Sequence, residues 1–188
     1  MEVRVNSNRL DKVLVRNILE HAHDYSWTMQ ELGLLGLRLD DRREYRLHVW
    51  DPGRRLGGPV VHDHPYDFVS TIVVGELTNA RYEEDPTGVK YKRDRYRPGN
   101  EELRTTDFIQ LAPRAETYRE GGEYAQLAQE LHDSQQLPGT VTIIRMTFRD
   151  VNELTVCRAE GAPWTSGVSR PATSEEVEEM TSQALTWF

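Results

Sequence analysis

The sequence predicts a mainly β fold, an antiparallel barrel with helices before and after it. Three observations lead there. From Glu44 onward, short apolar runs alternate with turn residues. Before Glu44 the apolar residues recur at helical spacing instead. Near the C-terminus, Thr173-Ser174 stands ahead of a run of acidic residues, where a cap and the helix dipole both favour a helix start.

Taken in order, residues 8–24 place Leu10, Val13, Leu14, Asn17 and Ile18 on one helical face, with Asn6, Ser7 or Asn8 as the cap. A second short helix is expected near residues 26–35. Strands are then expected over Tyr45–Trp50, Phe68–Val74, Leu77–Glu83, Val89–Tyr96, Asp107–Ala112, Tyr124–His132, Thr140–Phe148 and Leu154–Arg158. Between them stand Asp51-Pro52-Gly53, Gly57-Gly58-Pro59, Gly75-Glu76, Asp85-Pro86-Thr87-Gly88, Pro98-Gly99-Asn100, Gly121-Gly122 and Pro138-Gly139. Strands this short and this closely spaced suggest a sandwich or barrel. Residues 159–172 read as an irregular connector, followed by the helix that Thr173 or Ser174 caps. The chain reads as one domain: a helical segment 1–43, a barrel 44–158, and a connector with a helix 159–188.

With 188 residues, the chain is long enough to bury a core in one domain. Its net charge of -8 and pI of about 5.3 argue against nucleic acid or an anionic membrane as the main partner. Cys157 is the only cysteine, so no disulfide forms within the chain. The N-terminus is charged throughout and does not read as a signal peptide, and no apolar run approaches the about 20 residues of a membrane span. A cytoplasmic location is the expectation.

The sharpest local pattern is Val61-His62-Asp63-His64-Pro65-Tyr66-Asp67-Phe68. In an extended segment, residues two apart point the same way, so His62 and His64 present two imidazoles to one point. His132 is the third candidate, because the hairpin marked by Pro138-Gly139 returns it toward the same place. Imidazole suits Fe(II), and also Ni, Mn or Zn. Asp63 or Asp67 could orient a ligand histidine, or simply shape a turn. Asp67 or Glu130 could add a carboxylate ligand, since Glu130 shares the face of His132 in an extended strand. Arg38 reads either as a bidentate partner for a substrate carboxylate or as a surface residue beside Asp40 and Asp41. Arg46 and His48 share one strand face and could bind an anionic substrate if that face points inward; the favoured expectation is that Tyr45, Leu47 and Val49 face the core, which leaves Arg46, His48 and Trp50 toward solvent. Arg145 either lines the cavity or points out of its strand. His21 and His23, two apart on a helix, read as surface residues.

These residues resemble the cupin superfamily. Gly58, His62, His64 and Gly75 match its first motif, and His132 matches the second by order and setting. The resemblance covers roughly residues 44–150 and implies a double-stranded β-helix, or jelly roll, around a metal site. The glutamate usual in the first motif falls near Phe68, which is not a ligand. Cupins that lack it and keep three histidines include the thiol dioxygenases, such as cysteine dioxygenase. The segment EYRLHVWDP…VVHDHPYDF is similar to that family's strand ending in tryptophan before His-Asp-His. Leu37-Arg38-Leu39 is similar to the site of its carboxylate-binding arginine.

The resemblance implies an Fe(II)-dependent oxygenase that uses O2 on a small metabolite, a thiol or amino acid such as cysteine. Some members carry a cysteine just after His-Asp-His, crosslinked to a tyrosine; Phe68-Val69 and Thr147-Phe148 stand near those places here, so no crosslink is expected. Two other functions stay open. One is a metal-dependent isomerase, lyase or hydrolase with Glu130 as base, and the other is a non-catalytic small-molecule binder. Cupins often pair through edge strands, so a homodimer is expected, with Trp187-Phe188 helping to bury the interface.

Overall fold

The computed structural model describes residues 12–56, 60–97, 100–159, 161 and 169–188. It opens with helix α1 (Lys12–Glu20) and a 3-10 turn (Ala22–Asp24). Strands β1 (Thr28–Gln30), β2 (Leu32–Arg38), β3 (Tyr45–Arg55), β4 (Val61–His62) and β5 (Tyr66–Val74) follow. Next come β6 (Glu76–Arg97), β7 (Asn100–Arg119), β8 (Glu123–Gln126), β9 (His132–Gln136) and β10 (Thr140–Phe148). Strands β11 (Leu154–Ala159) and β12 (Ser169–Pro171) and helix α2 (Ser174–Leu185) complete it.

The fold is mainly β, but the expected closed barrel is not what forms. Two antiparallel sheets do. One has the order β12-β1-β2-β3-β10-β5-β8 and the other β11-β4-β9-β6-β7. The second sheet curls back on itself, because β6 is long enough for β9 to pair with its first part and β11 with its last. No hydrogen-bonded ladder joins the two sheets among the described residues.

Three local readings change. Residues 26–35 form β1 and the start of β2 rather than a helix. Residues 33–37 are buried in succession, so on both sides, and Gly33 has φ 74° with the Asp51 carbonyl oxygen 2.2 Å from where a Cβ would sit. Close backbone approach on a central strand overrides the helical preference of the leucines. Residues 77–83 and 89–96 belong to one strand. Asp85 turns the chain locally, its carboxylate accepting from the Thr87 N–H, yet Glu84 and Val89 both face Leu111. The predicted turn is therefore a bulge within β6. Gly88 allows it, since a Cβ there would lie 2.5 Å from Leu111 backbone atoms. Residues 124–132 divide into β8 and β9 around Gln129, whose φ is 64°, so His132 begins a strand rather than ending one.

The main core lies between the first sheet and the helices. Val15, Ile18 and Leu19 of α1 and Val177, Met180 and Ala184 of α2 pack on Leu35, Leu47, Val49, Val141 and Ile143. Thr173 caps α2 in a reciprocal capping box with Glu176. The possible caps Asn6, Ser7 and Asn8 and the motif glycine Gly58 lie outside the described residues. Trp187 donates its indole N–H to the Pro138 carbonyl, and Phe188 packs against the helical core, so both engage their own chain. No described helix is long and apolar enough to cross a membrane.

Because helices cover one face of the first sheet, the other face looks across to the second sheet. Strand β3 shows the consequence. Leu47 and Val49 point to the helices, while Arg46, His48 and Trp50 line a cavity between the sheets. The expectation that Arg46, His48 and Trp50 face solvent fails here, since this strand is clad on both sides and His48 is buried.

Candidate metal centre

The second sheet and the loop leaving β4 bring three histidines together. His62 on β4 and His132 on β9 face each other directly in register. His64 follows two residues after His62 and stays on the same side. The donor nitrogens of His62, His64 and His132 all lie within 4.8 Å of one another, and they form the metal-capable group found among the described residues. His64 and His132 meet Nε2 to Nε2 at 2.9 Å.

Two of the rings are already oriented from behind. The Nδ1–H of His62 donates to the Val60 carbonyl at 3.0 Å, and the Nδ1–H of His132 donates to Asn79 Oδ1 at 2.9 Å. Each bond commits Nδ1 and leaves the Nε2 lone pair for the shared point. Burial keeps His64 and His132 well below the ordinary imidazole range, and it lowers His62 as well against the pull of the Val60 carbonyl. All three are therefore neutral near pH 7, as a metal ligand must be. Two ligands at about 2.1 Å from one ion and at right angles lie about 3.0 Å apart, which the His64–His132 spacing matches. The donor set suits a divalent transition metal and does not select one.

Around the rings the surface is aromatic. Tyr66 stacks on His64 with centroids 4.9 Å apart, and Phe68 meets His64 edge-on at 5.4 Å and His132 at 5.8 Å.

The cavity holds about 80 Å³. His62, His64 and His132 form one wall; Arg46, His48, Trp50 and Ser70 of the first sheet form the other. Register sets this second wall: Arg46 faces Ile144, Ile144 faces Ser70, and His48 faces Thr142 across β3, β10 and β5. Arg46 Nε, His48 Nδ1 and Arg55 Nε are buried without a hydrogen-bond partner. Arg55 is held by Asp133 at 2.8 Å, whereas Arg46 forms no ion pair with a described residue. Desolvation, aided by the Arg46 charge, pushes His48 down to about 3, so it is a neutral donor–acceptor at any ordinary pH.

The other site candidates sit elsewhere. Arg38 is exposed at the end of β2, opposite Arg46, and is not among the cavity-lining residues. Asp67 pairs with Arg149 and accepts from the Ala128 N–H at 2.9 Å, which holds its carboxyl below the usual range. Asp63 is buried and accepts from the Thr155 N–H at 2.8 Å, tying β4 to β11 rather than orienting a histidine. Glu130 turns away from the cavity, and its carboxylate accepts from Gln126 at 3.2 Å and from the Leu127 N–H at 2.9 Å. Arg145, His21 and His23 are exposed. Cys157 is buried with Val61, Ile109 and Leu111, and burial pushes its thiol up to about 12.

The sequence offered Arg46 and His48 as anion binders only if their strand face pointed inward, the less favoured reading, and it did not offer Asn79. The first two carried a signal, polar residues alternating within an apolar strand. Asn79 carried none, since its role follows from the pairing of β6 with β9.

Compared with known proteins, the chain matches no family model and no curated sequence. A mainly β fold with a three-histidine cluster is compatible with a cupin-like arrangement.

Proposed function

We propose that the protein is a non-heme Fe(II)-dependent oxygenase of the cupin type, acting on a small acidic metabolite, of which a thiol-bearing amino acid such as cysteine is the leading example. The observation that carries this reading is the neutral three-histidine wall facing, across a small cavity, a half-buried arginine whose Nε is buried without a hydrogen-bond partner. His62, His64 and His132 would hold the ion; Fe(II) would supply the redox chemistry that O2 needs. A three-imidazole set leaves ligand positions open, so substrate and O2 can be held side by side and the reaction gains from proximity.

The chain's own residues then do the binding and the shielding. Arg46 gives the substrate's acid group a charge-assisted, two-point partner at a site poor in water. In this role Arg46 replaces Arg38, whose side chain is in solvent. His48 and Ser70 offer neutral hydrogen bonds beside it. Tyr66 and Phe68 exclude water from the histidine side. Asp67 and Glu130, the carboxylates that the isomerase, lyase or hydrolase reading would use, are engaged outside the cavity, and Asp133, which lines it, is paired with Arg55.

The test is elemental analysis of tag-free protein followed by O2 uptake with Fe(II) and a panel of thiols and amino acids. Near-stoichiometric iron with substrate-dependent O2 uptake is expected. Turnover without O2, or with Zn(II) in place of iron, would reject the oxygenase.

A further inference from the structure

Two buried amides stand behind His132, on neighbouring strands of different sheets. Asn79 of β6 is 2% exposed and Gln126 of β8 is wholly buried. Burying an amide is costly unless every group is paired, and these two are paired in one line. Asn79 Oδ1 accepts from the His132 Nδ1–H at 2.9 Å. Asn79 Nδ2 donates to Gln126 Oε1 at 3.2 Å. Gln126 Nε2 donates to the Glu130 carbonyl at 3.3 Å and to the Glu130 carboxylate at 3.2 Å.

The line has a direction. A backbone carbonyl and a carboxylate offer only acceptors, so Gln126 must turn its NH2 toward Glu130. Its oxygen then faces Asn79, which must answer with its own NH2. That leaves the Asn79 oxygen for His132, and an oxygen at this point accepts only from an Nδ1–H. Flipping either amide would set donor against donor or acceptor against acceptor.

We propose that Glu130, Gln126 and Asn79 form a one-way relay that fixes His132 in its Nδ1–H tautomer, so that Nε2 presents a bare lone pair to the histidine cluster. Asn79 and Gln126 are positioning residues, not ligands. Glu130 is the terminal acceptor that gives the line its sense. The proposal rests on the metal reading only in taking Nε2 as the ligating atom.

The experiment uses the full chain labelled with 15N-histidine and stripped of metal by a chelator. Long-range proton–nitrogen correlation spectra report the tautomer of each imidazole. Wild type is expected to show His132 as Nδ1–H. Asn79→Leu should turn that single state into a mixture, and Gln126→Met should do so in part, because Asn79 is then free to flip. Asn79→Asp keeps the acceptor and should restore the Nδ1–H form. In a Zn(II) titration, Asn79→Leu should bind about 10–100-fold more weakly than wild type, with Asn79→Asp within a few-fold of it. Glu130→Ala leaves its backbone carbonyl in place and should have the least effect.

His132 as Nε2–H in the wild-type protein overturns the relay without any variant. So does a single Nδ1–H state retained in both Asn79→Leu and Gln126→Met. If the tautomers shift as expected but wild type binds no Zn(II), the relay stands and the metal reading falls.

Discussion

The two walls of the cavity differ in how their polar atoms are satisfied. On the second sheet, His62 and His132 have committed Nδ1 to Val60 and Asn79. On the first sheet, Arg46 Nε and His48 Nδ1 are buried with no partner. An interior normally pairs such atoms, because leaving one unpaired costs about 1–3 kcal/mol. The first wall is prearranged from behind for an ion that needs only lone pairs. The second is arranged for a ligand that brings its own acceptors. Under the proposed function, one cavity would divide a metal task from an anion task along the sheet boundary.

Four measurements would break or sharpen that contrast. His132→Ala should cut metal affinity by more than about 100-fold in equilibrium dialysis, since it removes a ligand and not merely its support. Retained metal would take His132 out of the site. Arg46→Leu should leave metal content unchanged and raise KM for an acidic substrate about 10–100-fold, the worth of one charge-assisted hydrogen bond. Loss of metal in that variant would merge the two walls.

The third measurement is acid unfolding. His48 lies at about 3 in the folded protein against 6.5 for the free side chain, so only the unfolded chain takes up its proton between those values. Its burial as the neutral form therefore stabilises the fold above about pH 6.5, and that contribution is lost as pH falls toward 3. His48→Gln should flatten the acid limb of a stability–pH curve. An unchanged limb would mean that His48 is not held neutral.

The smallest effect concerns Cys157, which belongs to neither wall. With its thiol pushed up to about 12, the native protein should resist alkylation at pH 8, whereas urea-unfolded protein should react. Rapid native labelling would place the thiol nearer the cavity than its packing with Val61 does.

What the sequence revealed depended on range. His62 and His64 were legible because two residues in an extended run share a side whatever the rest of the chain does. A cap at Thr173 or Ser174 was legible for a similar reason, since capping is local chemistry; the structure selects Thr173 and adds the reciprocal bond from Glu176. The Asp85–Gly88 turn was half legible. Its residues bend the chain as expected, but only pairing with β7 decides that the bend is a bulge and not a reversal. Arg46 and His48 were set toward solvent because period-two alternation says which residues share a face, not which neighbour covers it. Once helices α1 and α2 take the apolar face of β3, its polar face has no solvent to meet.

That double cladding of β3 bears on how such a protein can change over generations. Positions 47 and 49 are read by the helices, and positions 46, 48 and 50 by the cavity. Neighbouring codons thus answer to separate selections. If Arg46 and His48 set the molecule accepted, as proposed, a lineage can exchange them while the residues that hold the domain together go on unaltered between them.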